Sequence, residues 1–128
     1  MRFWAKRRHG CCGSRDLREI YLAKKYTVFI LLKALPAWLR LAREERGRIA
    51  DAAFAAAFSE GGISFRHFDA EAFNARASDV AMFETDDLRA YYFAIERLRD
   101  TPIFTQPYFE LVEILPAIED GYREFEGR

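Results

Sequence analysis

Hydrophobic residues along this chain recur with two periods, one typical of strands and one typical of helices. Residues 26–33 read YTVFILLK and are apolar at both alternating sets of positions, which predicts a strand buried on two faces. Shorter alternating segments predict three more strands. Leu88, Tyr91, Tyr92, Ile95 and Leu98 instead follow helical spacing. In chain order the pattern predicts a strand from Tyr26, a helix over Arg43–Phe58, strands at Ile63–Phe68 and Asp79–Glu84, a helix from Leu88, and a strand at Phe109–Leu115.

The order strand, helix, strand, strand, helix, strand leaves few topologies. Right-handed crossovers place both helices on the same face of the sheet. We therefore expect an α+β domain of the ferredoxin-like βαββαβ type, with a four-stranded antiparallel sheet. Both sets of alternating side chains in the first strand are apolar, so the sheet face without helices needs another cover. A second copy of the chain is the expected cover, because symmetric dimers are the commonest oligomers.

The first 25 residues differ from the rest. They contain eight Lys and Arg against two acids, a net charge of +6, and the remainder carries −6. Two interpretations stay open, a basic arm that is disordered or upstream sequence included by a mis-assigned start. The predicted domain spans residues 26–128. Its acidic character argues against nucleic acid as its main partner.

The amino-acid composition limits the kinds of function that we expect for this chain. Aromatic residues make up 16% of the 128, with 12 Phe, more than a small core normally needs, so part of them is expected in a pocket or an interface. His9, Cys11 and Cys12 lack a second pair of ligands at zinc-site spacing, and no cofactor motif occurs, so neither metal nor cofactor is expected. No segment has the length of a membrane span or the apolar stretch of a secretory signal, and a cytoplasmic location is expected.

Three stretches resemble a known family: YTVFILLKALPAWLRLAREER, FDAEAFNARASDVAMFETDDLRAYYFAIERLRDTPIF and PYFELVEILPAIEDGYREFE. Together they resemble the darcynin family of bacterial proteins, and this resemblance supplies no activity and no catalytic residues to carry over. Its fold is similar to that of dimeric α/β barrel proteins, which include small monooxygenases and muconolactone isomerases; this is an analogy of fold alone. One departure is Ala42, where similar sequences tend to have a capping Ser.

Polar residues within the predicted domain are candidates for chemistry. His67 is the only histidine there and shares strand parity with Ile63 and Phe65, which suits a general acid or base as well as a core histidine. Tyr91 and Tyr92 are consecutive on the second helix, so one is expected to reach the sheet and to orient a ligand or to pack in the core.

Charged residues supply a second group of candidates. Arg66, Arg76 and Asp79 are expected to form an Arg–carboxylate pair or to hold an anionic substrate. Glu110 and Glu113 are expected on opposite faces of the last strand, as a general base or as charges that protect a sheet edge.

Two function hypotheses of different classes follow. The first is a homodimeric barrel that holds a small apolar or aromatic molecule between helices and sheet, with cofactor-independent catalysis through His67 if it is an enzyme. Its ligand contacts would be Arg66, Arg76, Tyr91 and Tyr92. The second is a non-catalytic binding or assembly module. A third hypothesis, contact with RNA or membrane through the basic arm, ranks below both.

Overall fold

The computed structural model describes residues 26–127 as one sheet with its two long helices on one face. The basic segment predicted to be an arm lies outside these residues. Four strands and five helices follow in this order: β1 Tyr26–Ala34, α1 Pro36–Leu39, α2 Arg43–Ala57, β2 Ile63–Asp69, β3 Asp79–Thr85, α3 Leu88–Arg99, α4 Pro102–Thr105, β4 Phe109–Ala117 and α5 Gly121–Glu126. None of the helices in this range is long and apolar enough to cross a membrane.

The sheet has the strand order β2-β3-β1-β4, and every neighbouring pair is antiparallel. This confirms the ferredoxin-like α+β fold. The helix face is the side of the sheet that carries Val28, Ile30 and Leu32, which are all buried against the helices. The outer face is the opposite side, which carries Phe29 and Leu31.

Aromatic rings connect the helix face to α2. Phe83 of β3 is 1% exposed and lies 5.2 Å from the ring of Phe65 and 5.3 Å from that of Phe58. Phe54 of α2 lies 4.8 Å from Phe65. Such offset and tilted pairs add to the gain from burial, so these phenylalanines fix α2 over β2 and β3.

The helix ends follow the sequence in part. Asp87 caps α3, because its carboxylate accepts hydrogen bonds from the backbone N–H groups of Arg89 and Ala90. Ala42 occupies the same position before α2 and supplies no side-chain cap. Gly61 and Gly62 have φ of +76° and +83°, a conformation that suits glycine, and they turn the chain from α2 into β2.

A bulge in β4 corrects one prediction. Leu31 pairs with Glu113 and Leu32 with Leu111, so Val112 is the extra residue, and strand alternation breaks there. Glu110, opposite Lys33, therefore lies on the outer face together with Glu113. The prediction that each face of the last strand carries one acid is wrong, because it assumed unbroken alternation.

Candidate functional site

The outer face carries a cavity of about 350 Å³ at the end where β1 begins. Phe29 and Met82 line it from the central strands β1 and β3, and Arg66 and Glu84 line it from β2 and β3. Ala117, Ile118 and Glu119, which follow β4, close another side. The volume lies at the small end of the ~300–1,000 Å³ typical of ligand sites.

Apolar side chains continue beyond this cavity across the outer face. Leu31 pairs with Val80 of β3, and Phe29 pairs with Leu115 of β4, so all four point to the same side. Leu115 is 44% exposed, and Ile118 is 46% exposed. No helix within residues 26–127 packs over these side chains as α2 and α3 pack over the helix face. The bare sheet face expected from the sequence is therefore present in the protomer.

Charged groups surround this apolar region. Arg66 is exposed and its guanidinium carbon lies 5.2 Å from the ring centre of Phe68, which is 40% exposed. At the opposite end, Arg76 Nη2 lies 3.6 Å from Glu113 Oε1. Both groups of this ion pair are largely in water, so it contributes little stability. The result is an apolar centre with a polar rim, an arrangement typical of interfaces.

His67 lies on the helix face. Its Nε2 is 2.8 Å from Oδ2 of Asp79, a carboxylate that is almost completely buried. The sequence-based pairing of Asp79 with an arginine is thus corrected: strand alternation turns Arg66 to the outer face, whereas Asp79 points to the helix face. Arg76 pairs with Glu113 instead.

The two tyrosines separate as their helical positions require. Tyr91 is half-buried, and its ring centre lies 6.2 Å from that of Phe83. Burial raises the pKa of its hydroxyl above the usual 10.0. Tyr92 is 58% exposed and makes an edge contact with Phe93.

The structure does not bring the five predicted site residues together. Arg66 and Arg76 lie at opposite ends of the outer face, His67 and Tyr91 lie on the helix face, and Tyr92 lies on the surface of α3. Phe29, Met82 and Ile118 line the outer-face cavity without having been predicted as ligand contacts. The sequence signal concerned Phe29 alone, because both alternating sets of side chains in β1 are apolar.

A second cavity, of about 510 Å³, lies on the helix layer away from these residues. Ile49, Ala52 and Ala56 of α2 line it together with Thr101 and Pro102, where α3 meets α4. Glu45 and Arg48, which pair with each other, also line it. None of the predicted site residues lines it, so it is the weaker candidate.

Comparison with known proteins gives both a family and a fold. A family model described as "Darcynin, domain of unknown function" matches residues 19–128. Darcynin 1 of Acinetobacter baumannii is 47% identical over 90 residues, which cover 70% of this chain and 100% of that relative.

Solved structures share the fold at low sequence identity. A heme-binding protein from Thermus thermophilus is 13% identical with a TM-score of 0.67, over 94% of this chain and 53% of that one. A chlorite dismutase from Nitrobacter winogradskyi, described as dimeric, is 19% identical with a TM-score of 0.60, over 82% of this chain and 69% of that one. The chain thus spans about half of the length of the heme-binding structure that it matches.

Proposed function

The chain belongs to the darcynin family, and we propose that it works as a homodimer. The dimer holds a small, largely apolar or aromatic molecule between the outer faces of its two sheets. The observation that carries the proposal is the apolar outer face, which contains a cavity and has no helix packed over it within the described residues. The chlorite dismutase from Nitrobacter winogradskyi, which shares the fold, is described as dimeric, and this agrees with the proposed assembly.

An estimate of the burial energy supports a second copy as the cover. Phe68, Leu115 and Ile118 are each 40–46% exposed. Complete burial of a large apolar side chain is worth ~1.5–3 kcal/mol. Two copies together contribute six such side chains. Covering their exposed parts is therefore worth about 4–8 kcal/mol, which is comparable to the lower part of the ~4–15 kcal/mol cost of association. The half-buried residues between them add to this gain.

Arg66 is the ligand contact that the geometry favours. It is the cationic side chain in the lining of the outer-face cavity, beside the apolar surfaces of Phe29 and Met82. An aromatic ring on that apolar surface could direct an anionic or carbonyl group toward the guanidinium. The sheet separates His67 from this cavity, so the predicted acid–base role of His67 would concern a molecule on the other face.

Haem does not fit the outer-face cavity as a histidine- or cysteine-ligated group. Within residues 26–127, His67 is the one histidine and cysteine is absent. His67 lies on the helix face, bonded to Asp79. The usual haem ligands His and Cys are therefore not available at this cavity, and the heme binding of the fold relative is not carried over to this chain.

Native mass spectrometry of untagged protein from a bacterial host tests the proposal. We expect a dimer with a bound adduct of small-molecule mass that disappears on denaturation. Arg66→Gln is expected to reduce the fraction of dimer that carries the adduct, while Arg89→Gln, on the exposed surface of α3, is the matched control that leaves it unchanged. An empty monomer would contradict the proposal, and an empty dimer would support the assembly module instead.

A further inference from the structure

Three side chains that can bind a metal ion converge where β2 ends and β3 begins. Asp69 is paired directly with Asp79 across the two antiparallel strands, and His67 precedes Asp69 by two residues. Because side chains alternate along a strand, all three lie on the helix face. One potential ligand atom from each residue lies within 4.8 Å of the others.

Electrostatics favours a divalent cation at this position. Like charges directly opposite each other across a sheet are destabilising, and Asp69 and Asp79 are such a pair. Asp79 is only 3% exposed, so its charge is poorly hydrated and needs compensation. A divalent ion bound between the two carboxylates matches their charge.

The buried carboxylate is held in place by a neighbour outside the cluster. Ser78 Oγ donates a hydrogen bond of 2.5 Å to Asp79 Oδ1, and it accepts one of 2.8 Å from the backbone N–H of Ala34. Asp79 Oδ2 is thereby directed toward His67 and Asp69. Metal-binding carboxylates are commonly oriented by such partners.

We propose that His67, Asp69 and Asp79 bind a divalent first-row transition-metal ion such as Zn²⁺. Protein N and O ligands bind Zn²⁺ at ~2.0–2.2 Å, so two ligands of a tetrahedral ion lie ~3.3–3.6 Å apart. The candidate ligand atoms lie within 4.8 Å of one another. Side-chain rotations that move them by about 1 Å bring all three to this spacing, and the ion replaces the hydrogen bond between His67 and Asp79. Three protein ligands leave a coordination position open to water, as in catalytic rather than structural zinc sites. The site is independent of the ligand proposed on the outer face.

The test is isothermal titration calorimetry with Zn²⁺ on the untagged full chain. The residues before the domain include His9, Cys11 and Cys12, whose side chains are of the types that ligate zinc, so all proteins carry His9→Ala, Cys11→Ser and Cys12→Ser. In this background we expect one Zn²⁺ per chain. Asp69→Asn is expected to weaken binding about tenfold or more, and His67→Gln at least as much.

Two further measurements keep the result unambiguous. Glu96→Gln removes one exposed acid from α3 and is the control for net charge, so it should leave the affinity unchanged. The absorption spectrum of bound Co²⁺ should change in Asp69→Asn, a variant expected to fold because Asp69 is exposed. Absence of Zn²⁺ binding in the background protein, or equal affinity in Asp69→Asn and Glu96→Gln, would overturn the proposal.

Discussion

Tyr91 and Tyr92 are adjacent in the chain but have different surroundings. Tyr91 packs near Phe83 and is half-buried, whereas Tyr92 is largely exposed. Burial disfavours the charged phenolate, so the pKa of Tyr91 is higher in the folded protein than in the unfolded chain. The folded state then holds this proton more tightly. The resulting contribution to stability is complete below pH 10.0 and is lost as the pH rises through the raised pKa.

Alkaline titration followed by tyrosinate absorbance checks this difference. Tyr91→Phe should remove a component that titrates at higher pH than that of an exposed tyrosine, and the free energy of unfolding of this variant should fall less steeply above pH 10.0. Tyr92→Phe is the matched control, because Tyr92 is largely exposed. Identical difference spectra for the two variants would contradict the assigned environments.

The sequence was sufficient to predict the orientation of His67 but not its hydrogen-bond partner. The parity of His67 with Ile63 and Phe65 placed it on the helix face as expected. Its partner Asp79 was not predicted, because β2 and β3 are joined by residues 70–78, and a connection of this length does not fix the register. Pairing of Asp69 with Asp79 becomes apparent only when the register is known.

At the scale of elements, α2 and α3 begin in different ways. Asp87 accepts two backbone hydrogen bonds at the start of α3, while Ala42 leaves the first N–H groups of α2 without a side-chain cap. Ala42 already has the extended backbone that a capping residue needs, with φ −67° and ψ 153°. The backbone is therefore prepared for a cap that this sequence lacks.

Ala42→Ser should raise the free energy of unfolding by about 0.5–2 kcal/mol. Urea denaturation followed by circular dichroism measures the change, which should appear as a higher midpoint with an unchanged slope. Asp87→Ala is the converse control and should lower stability by a similar amount. A lower midpoint in Ala42→Ser would show that α2 does not begin at Arg43.

Elements were predicted well where periodicity alone determines them. All four strands and both long helices occur close to their expected ranges, because buried positions repeat with the period of the element. The bulge at Val112 could not be predicted, because it arises from pairing with β1 and no glycine marks it in the sequence. It moved Glu110 to the outer face and so changed the charge of that surface.

The whole molecule is a sheet with one covered and one bare face. Half the residues of the chain are apolar, and those on the outer face, such as Phe29 and Leu31, are not packed under any helix of the described range. The covered face makes the stable core, and the bare face is the feature that the proposed dimer and its ligand both require. The proposed ligand site therefore requires the chain to be a dimer.

Light scattering coupled to size-exclusion chromatography of two variants tests this central claim most directly. Leu31→Glu places a charge in the middle of the outer face, whereas Leu88→Glu makes the same change on an exposed leucine at the first position of α3, where an acid complements the helix dipole. We expect a dimer for the unmodified chain and for Leu88→Glu, and a folded monomer for Leu31→Glu. A monomer for the unmodified chain, or a dimer that persists in Leu31→Glu, would contradict it.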